Sequence, residues 1–149
     1  MDVVFTEFSD IYLEYSWRWL NDPEIKLLTR VSDFSRIDQK EWYNSLIKRD
    51  DYLIWGIEVD SKPIGSCGLK GISDTECEYW GYIGEKDYWG KGIGKLLVAF
   101  AENIAIEKNI PSIWLKVSRM NLRALGLYKN RGYVIESEKN GLIKMRKDL

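Results

Sequence analysis

Residues 82–105 read YIGEKDYWGKGIGKLLVAFAENIA, and this stretch decides the fold. Gly90, Gly92 and Gly94 alternate with other residues between a strand-like segment and a helical run. Apolar residues then follow the spacing of one helix face, at positions 93, 96, 97, 100, 101 and 104. Alternating glycines let backbone N–H groups approach a ligand closely, and a helix start adds partial positive charge. The stretch therefore predicts either a phosphate-binding loop or a tight turn without a ligand.

Two known phosphate-binding motifs do not match this loop. A Walker A loop requires Ser or Thr after Gly-Lys, but Leu96 follows Lys95. A dinucleotide fingerprint requires a third glycine where this chain has Leu97. Lys91 and Lys95 would add positive charge beside the glycines. The loop is therefore a candidate for a pyrophosphate of another kind.

The composition limits the chemistry that the chain can perform. Its 149 residues suit one domain, residues 1–149, and its net charge of −1 gives no broad field for nucleic acid. The absence of histidine excludes Ser-His-Asp, Cys-His and His-metal sites. Any proton transfer then depends on Glu, Asp, Tyr, Lys, Cys or water.

Cysteine content and the apolar pattern indicate the compartment. Cys67 and Cys77 are too few for a four-ligand zinc site, and we expect no metal and two buried free thiols. The N-terminal residues MDVVFTEFSD lack the basic region of a signal peptide. No run reaches the roughly 18 apolar residues of a membrane span. These features predict a cytoplasmic protein that does not enter a membrane.

Periodicity and turn signals predict the order of helices and strands. Predicted strands cover residues 3–8, 52–59, 64–69, 76–84, 113–117, 133–137 and 142–146. Predicted helices cover residues 10–20, 38–48, 92–108 and 121–130, with residues 24–36 as a loop or short helix. Hairpins come first and β-α-β crossovers follow. This order favours an α+β fold, a mixed sheet with helices on its faces.

Two spaced motifs resemble those of the GNAT superfamily of N-acetyltransferases. Residues 82–105 resemble its acetyl-CoA loop, Arg/Gln-x-x-Gly-x-Gly/Ala, with Gly92 and Gly94 matching and Trp89 in the first position. The stretch NLRALGLYKNRGY, residues 121–133, resembles its second signature, Asn-x-x-Ala-x-x-Leu-Tyr-x-x-x-Gly-Phe. The matching residues are Asn121, Ala124, Leu127, Tyr128 and Gly132, with Tyr133 in place of phenylalanine.

The resemblance implies a fold and a set of acetyl-CoA contacts. The fold would be a mostly antiparallel sheet of six to seven strands with about four helices on its faces, and with strands four and five splayed. The pantetheine arm would lie in that gap, and the pyrophosphate would bind backbone amides of the glycine loop. The implied acetyl-CoA contacts are Tyr82, Ile83, Trp89, Gly90, Lys91, Gly92, Ile93, Gly94, Lys95 and Asn121.

The same resemblance implies direct attack of a neutral amine on the acetyl thioester. Tyr128 would be the acid that protonates the leaving thiolate; the alternative is a tyrosine that only packs on the sheet. Glu76 and Glu78 share one strand face by alternation, and Glu78 is the candidate base. The alternative for both glutamates is a solvated strand face.

The acceptor amine is predicted from the first two helices. Residues 16–29, SWRWLNDPEIKLLT, resemble acetyltransferases of nucleotide-linked amino sugars, among them the enzyme of the pseudaminic-acid pathway. Trp17, Arg18, Trp19 and Trp80 are the candidate acceptor contacts, unless the tryptophans belong to the core. A protein N-terminus, a polyamine and an aminoglycoside are alternative acceptors. A non-catalytic acyl-CoA sensor and a plain nucleotide-binding module are alternatives of other classes, and a homodimer is compatible with the family.

Overall fold

The computed structural model describes residues 1–149. It contains seven strands and five α-helices, and a 3₁₀ turn at Lys86–Tyr88. Their bounds are β1 Val3–Glu7, α1 Asp10–Leu20, α2 Pro23–Thr29, α3 Arg36–Leu46, β2 Leu53–Val59, β3 Lys62–Lys70, β4 Cys77–Ile83, α4 Ile93–Glu107, β5 Ser112–Ser118, α5 Leu122–Asn130, β6 Val134–Lys139 and β7 Leu142–Asp148. Seven strands lie within the predicted range, and the helices number five instead of about four.

The additional helix is α2, in the segment predicted as a loop or short helix. The Asp22 carboxylate accepts hydrogen bonds from the N–H groups of Glu24 and Ile25, at 3.0 and 3.2 Å. Pro23 occupies the first helical position, where its missing N–H has no cost. A segment of seven residues is too short to show a clear helical period. Tertiary contacts through the buried Ile25 therefore decide whether it forms a helix.

The strands form one sheet in the order β1-β2-β3-β4-β5-β7-β6. All neighbouring strands are antiparallel except β4 and β5, which are parallel. Their ladder contains only two pairs, Cys77 with Ile113 and Glu78 with Trp114. Both strands continue beyond that ladder without pairing with each other. The predicted mixed, mostly antiparallel sheet and the splay of strands four and five are confirmed.

Side chains of β4 alternate between the two faces of the sheet. The pairing of β4 with β3 continues over six residue pairs without a bulge, so the alternation is undisturbed. Cys77 and Tyr79 are buried in the core on the α4 face. Glu78 and Trp80 therefore belong to the opposite face.

Two apolar clusters cover the two faces, and burial of this apolar surface drives folding. The larger cluster contains 20 buried residues, among them Ile93, Leu97 and Val98 of α4. The smaller cluster has four buried residues, contributed by α1, α2 and the segment before α1: Phe8, Tyr12, Trp19 and Ile25. Cys67 and Cys77 are buried free thiols, as predicted.

Candidate active site

The glycine loop leads into α4 with its backbone donors free. Gly90 and Gly92 have φ values of +74° and +82°, which side chains with a Cβ rarely adopt. A Cβ built on Gly92 would meet no atom within 4 Å, so the loop borders open space. The N–H groups of residues 90–95 donate to no other protein group. Six consecutive free donors at the positive end of a helix suit an anion.

The loop opens onto a cavity of about 1160 Å³, which both β4 and β5 border. Ten of the predicted site residues line this cavity: Trp80, Tyr82, Ile83, Trp89, Gly90, Gly92, Ile93, Gly94, Asn121 and Tyr128. Lys91 and Lys95 are exposed and do not line it. The Lys91 ammonium lies 6.0 Å from the centre of the Tyr88 ring. The structure therefore brings together the predicted acid and the loop donors, but not the two loop lysines.

Tyr128 reaches the cavity from α5 between two other tyrosines. Its ring lies edge-on to Tyr79 and Tyr133, with centroid distances of 6.3 and 5.7 Å. Burial raises the pKa of the Tyr128 hydroxyl well above its usual value. The phenol therefore stays protonated at neutral pH and can donate a proton or a hydrogen bond.

Asn121 and Trp89 support the loop and the helix that carries Tyr128. The Asn121 Oδ1 accepts a hydrogen bond from the N–H of Ala124 at 3.3 Å and caps α5. The Trp89 indole donates to the carbonyl of Ile83 at 2.8 Å, which ties the glycine loop to the end of β4. Both residues also line the cavity, so a contact with a ligand is open to them.

Glu78 lies on the opposite sheet face from the α4 core, with 17% of its side chain exposed. Its carboxylate is 3.9 Å from the Lys70 ammonium. Burial raises the pKa of Glu78, although Lys70, Lys116 and Lys144 act in the opposite direction. Glu78 does not line the cavity, whereas Lys70 and Lys116 do. Its role as the base stays a prediction.

The three candidate acceptor residues of α1 lie outside the cavity lining. Trp19 is 4% exposed, and its indole donates to the Glu85 carboxylate at 2.6 Å. Trp17 lies edge-on to Phe34 at 5.4 Å between ring centroids. The Arg18 guanidinium stacks at 4.7 Å on its neighbour Tyr15. Trp19 thus serves the core, the alternative considered for the tryptophans.

The cavity has further lining residues that are not among the predicted site residues. The wall on the helical side comes from α2, α3 and the segment between them, including Leu28, Val31, Phe34, Gln39 and Trp42. Lys70 and Lys116 line the cavity from β3 and β5. Strand alternation could have placed Lys116 on the same face as Trp114, but no local signal identifies the helical wall.

The arrangement combines an anion-binding loop, a protonated phenol and a deep cavity. These groups can bind a phosphorylated ligand at the loop and protonate a leaving group in the cavity. No group of three or more His, Cys, Asp or Glu side chains is placed to hold a metal ion. None of the helices is both long enough and apolar enough to span a bilayer.

The fold and the site combine two parallel central strands that separate with a glycine loop whose N–H groups are free. The sequence profile of the acetyltransferase (GNAT) family matches residues 11–133. The chain therefore belongs to the GNAT acetyltransferase family, and the resemblance seen in its two motifs is confirmed.

The chain is also similar to a protein named as an N-acetyltransferase. An uncharacterised N-acetyltransferase of Methanocaldococcus jannaschii is 30% identical over 113 residues, 71% of this chain and 50% of the relative. The chain thus spans about half the length of the curated relative it matches.

Solved structures share the fold. Spermidine N-acetyltransferase from Vibrio cholerae, in complex with CoA and spermine, has a TM-score of 0.86 at 22% identity, covering 98% of this chain and 95% of that one. The N-acetyltransferase PseH of Campylobacter jejuni, in complex with acetyl coenzyme A, has a TM-score of 0.76 at 16% identity, covering 99% of each chain. At such identities the similarity concerns the fold.

Proposed function

We propose that this protein is an N-acetyltransferase that uses acetyl-CoA as its co-substrate. The observation that carries the proposal is the set of free N–H groups at residues 90–95, at the edge of a large cavity. These donors fit the pyrophosphate of coenzyme A, and the gap bordered by Tyr82 and Ile83 fits its extended pantetheine arm. Acetyl-CoA supplies an acetyl group that is already activated as a thioester.

The proposed reaction is direct transfer to a neutral amine. A bond forms between the amine nitrogen and the acetyl carbon as the bond from that carbon to sulfur breaks. Tyr128 donates its phenolic proton to the departing sulfur, and its raised pKa keeps that proton in place beforehand. Glu78 takes the proton that the amine nitrogen loses. Because Glu78 does not line the cavity, this proton passes through water.

The proposed acceptor is a nucleotide-linked amino sugar. Trp80 stacks with Tyr82 at 6.2 Å between ring centroids and offers an aromatic face to the cavity. Lys70 and Lys116 supply positive charge on the same wall. An aromatic surface beside ammonium groups suits a base and a phosphate better than a polycation.

A polyamine or an aminoglycoside would need free carboxylates in the cavity. Each acidic side chain that lines it is already engaged, by Lys86 for Glu24, by Lys26 for Asp33 and by the Ser35 cap for Asp38. Exposed pairs of this kind contribute only about 0–1 kcal/mol, so displacing them would reduce the affinity for a polycation only slightly. A polyamine, an aminoglycoside and a protein N-terminus therefore stay alternative acceptors that the amine panel tests.

The first experiment measures thiol release from acetyl-CoA with a panel of amines, and coenzyme A binding by calorimetry. The panel contains nucleotide-linked amino sugars, spermidine, an aminoglycoside and peptides with free N-termini. For the best acceptor, Tyr128→Phe should lower kcat by about 10²–10⁴-fold and leave the Kd for coenzyme A unchanged. Full turnover by Tyr128→Phe would remove the phenol from the mechanism. Tight binding of acetyl-CoA with no turnover by the wild-type protein would favour an acyl-CoA sensor.

A further inference from the structure

The largely buried carboxylate of Glu78 lies beside one lysine and within the electrostatic influence of two more. Lys70 lies 3.9 Å from it, and the positive charges of Lys116 and Lys144 also act on it. These side chains come from β3, β5 and β7, so only the assembled sheet brings them together. One carboxylate cannot neutralise three ammonium groups, and the cluster keeps excess positive charge.

The excess charge belongs to the two lysines that line the cavity. Lys144 is satisfied elsewhere, since it lies 3.6 Å from the Glu136 carboxylate and 4.4 Å from the centre of the Trp114 ring. Lys116 is exposed and forms no salt bridge. The only salt bridge of Lys70 is the 3.9 Å contact with Glu78, and 42% of the Lys70 side chain is exposed. Both ammonium groups are therefore available to a ligand.

The two lysines flank the point where β4 and β5 separate. Glu78 and Trp114 form the last pair of the parallel ladder. Lys70 lies directly opposite Glu78 in the β3–β4 ladder. Lys116 follows Trp114 by two residues on β5 and so shares its face. By strand alternation, this positive charge lies on the face of the sheet opposite to α4.

We propose that Lys70 and Lys116 form a receptor for the phosphate groups of the acceptor. This assignment rests on the proposed acetyltransferase function and deepens it, because it makes a negatively charged amine the preferred substrate. Trp80, two residues from Glu78 on the same strand face, provides the aromatic surface next to the phosphates. Glu78 lies opposite Lys70 in the β3–β4 ladder and partly compensates the positive charge of the two cavity lysines.

The first test is equilibrium binding of UDP and of inorganic pyrophosphate. The protein is saturated with coenzyme A beforehand, so that the glycine loop is occupied. The wild-type protein should bind both probes, with an affinity that falls as salt concentration rises. The double variant Lys70→Gln/Lys116→Gln should bind them at least tenfold more weakly. Lys108→Gln, at the far end of α4, makes the same charge change outside the cavity and should bind like the wild type.

The second test compares one amino sugar with and without its nucleoside diphosphate. The wild-type ratio of kcat/KM between the two acceptors should be about 100, the effect expected of two hydrogen bonds to charged groups, and should fall towards 1 in the double variant. Using a ratio cancels any effect of the substitutions on the base Glu78. Absence of probe binding to the wild type, or an unchanged ratio in the double variant, would overturn the phosphate receptor. Absence of acetyl-CoA binding would instead overturn the proposed function.

Discussion

A buried ion cluster at Glu102 should dominate the stability of the half of the fold that carries Tyr128. Glu102 lies on α4 with 4% of its surface exposed. Its carboxylate accepts hydrogen bonds from the Tyr133 hydroxyl at 2.9 Å, from the Lys147 ammonium at 3.2 Å and from the Arg131 guanidinium. The three donors follow α5 or belong to β7, so this one carboxylate joins α4 to the C-terminal third of the chain.

The substitution Glu102→Gln keeps the side-chain shape and removes the charge. Removing one partner of a buried ion pair costs about 3–5 kcal/mol, because the remaining charges lose their counterion. Arg131 and Lys147 keep 22% and 24% of their side-chain exposure and can regain water, so we expect the lower end, about 3 kcal/mol. For a chain of this size that loss lowers Tm by about 6–12 °C.

The effect should depend on pH in a defined direction. Burial by itself would raise the pKa of Glu102, but hydrogen bonds from Arg131, Tyr133 and Lys147 hold that pKa below its ordinary value. A carboxyl with a lowered pKa in the folded state stabilises the fold above the unfolded-state pKa, about 4.3. That stabilisation is lost as the pH falls through the folded-state pKa. The difference between wild type and Glu102→Gln should therefore be full at neutral pH and shrink below about pH 4.

Urea denaturation followed by circular dichroism measures the free energy of unfolding for both proteins at several pH values. Glu107→Gln is the matched control, since Glu107 is an exposed residue of the same helix without a salt bridge. The control should change stability by less than about 0.5 kcal/mol. If Glu102→Gln loses no more than its control, or if its loss grows as the pH falls, the reasoning from the buried cluster is refuted.

Three further outcomes are expected. Gly84→Ala places a Cβ 2.1 Å from a tryptophan ring of α1. This overpacking should lower the free energy of unfolding by about 1–3 kcal/mol. An unchanged midpoint of urea denaturation would contradict it. Gly92→Ala forces an alanine to adopt φ +82° and should weaken the binding of coenzyme A measured by calorimetry. Gly126→Ala is the matched control, because its Cβ points into open space within α5. It should raise Tm and leave the binding of coenzyme A unchanged. Burial raises the pKa values of Cys67 and Cys77 to about 12 and 11, so a thiol reagent at pH 8 should label both only in denaturant. Rapid labelling of the native protein would contradict this prediction, because it would show that β3 and β4 open and expose the thiols.

Local patterns in the sequence were sufficient for the glycine loop and the elements beside it. The predicted helix at residues 92–108 closely matches α4, and the predicted strand at residues 76–84 closely matches β4. These elements are long or strongly periodic, so neighbouring residues carry the information. No local period identifies α2, because its seven residues depend on the Asp22 cap and on the burial of Ile25.

In the candidate site, too, local motifs identified some residues, whereas tertiary packing decided the position of others. Tyr128, Asn121 and the loop glycines belong to contiguous motifs, and the structure places them all at one cavity. Trp19 is a residue of a type that often contacts a base or a sugar, but it lies in the core. The packing of α1 against the end of β4 decides which way its ring points.

The sequence by itself determined the family, the position of the glycine loop and the candidate acid. It could do so because each depends on residues that are close together in the chain. Only the tertiary structure decided that Lys70 and Lys116 line one cavity, and that Glu102 is shared by three donors. Those contacts join residues that are distant in the chain, and their formation requires the order β3-β4-β5-β7 in the assembled sheet. A pattern of neighbouring residues does not contain that order.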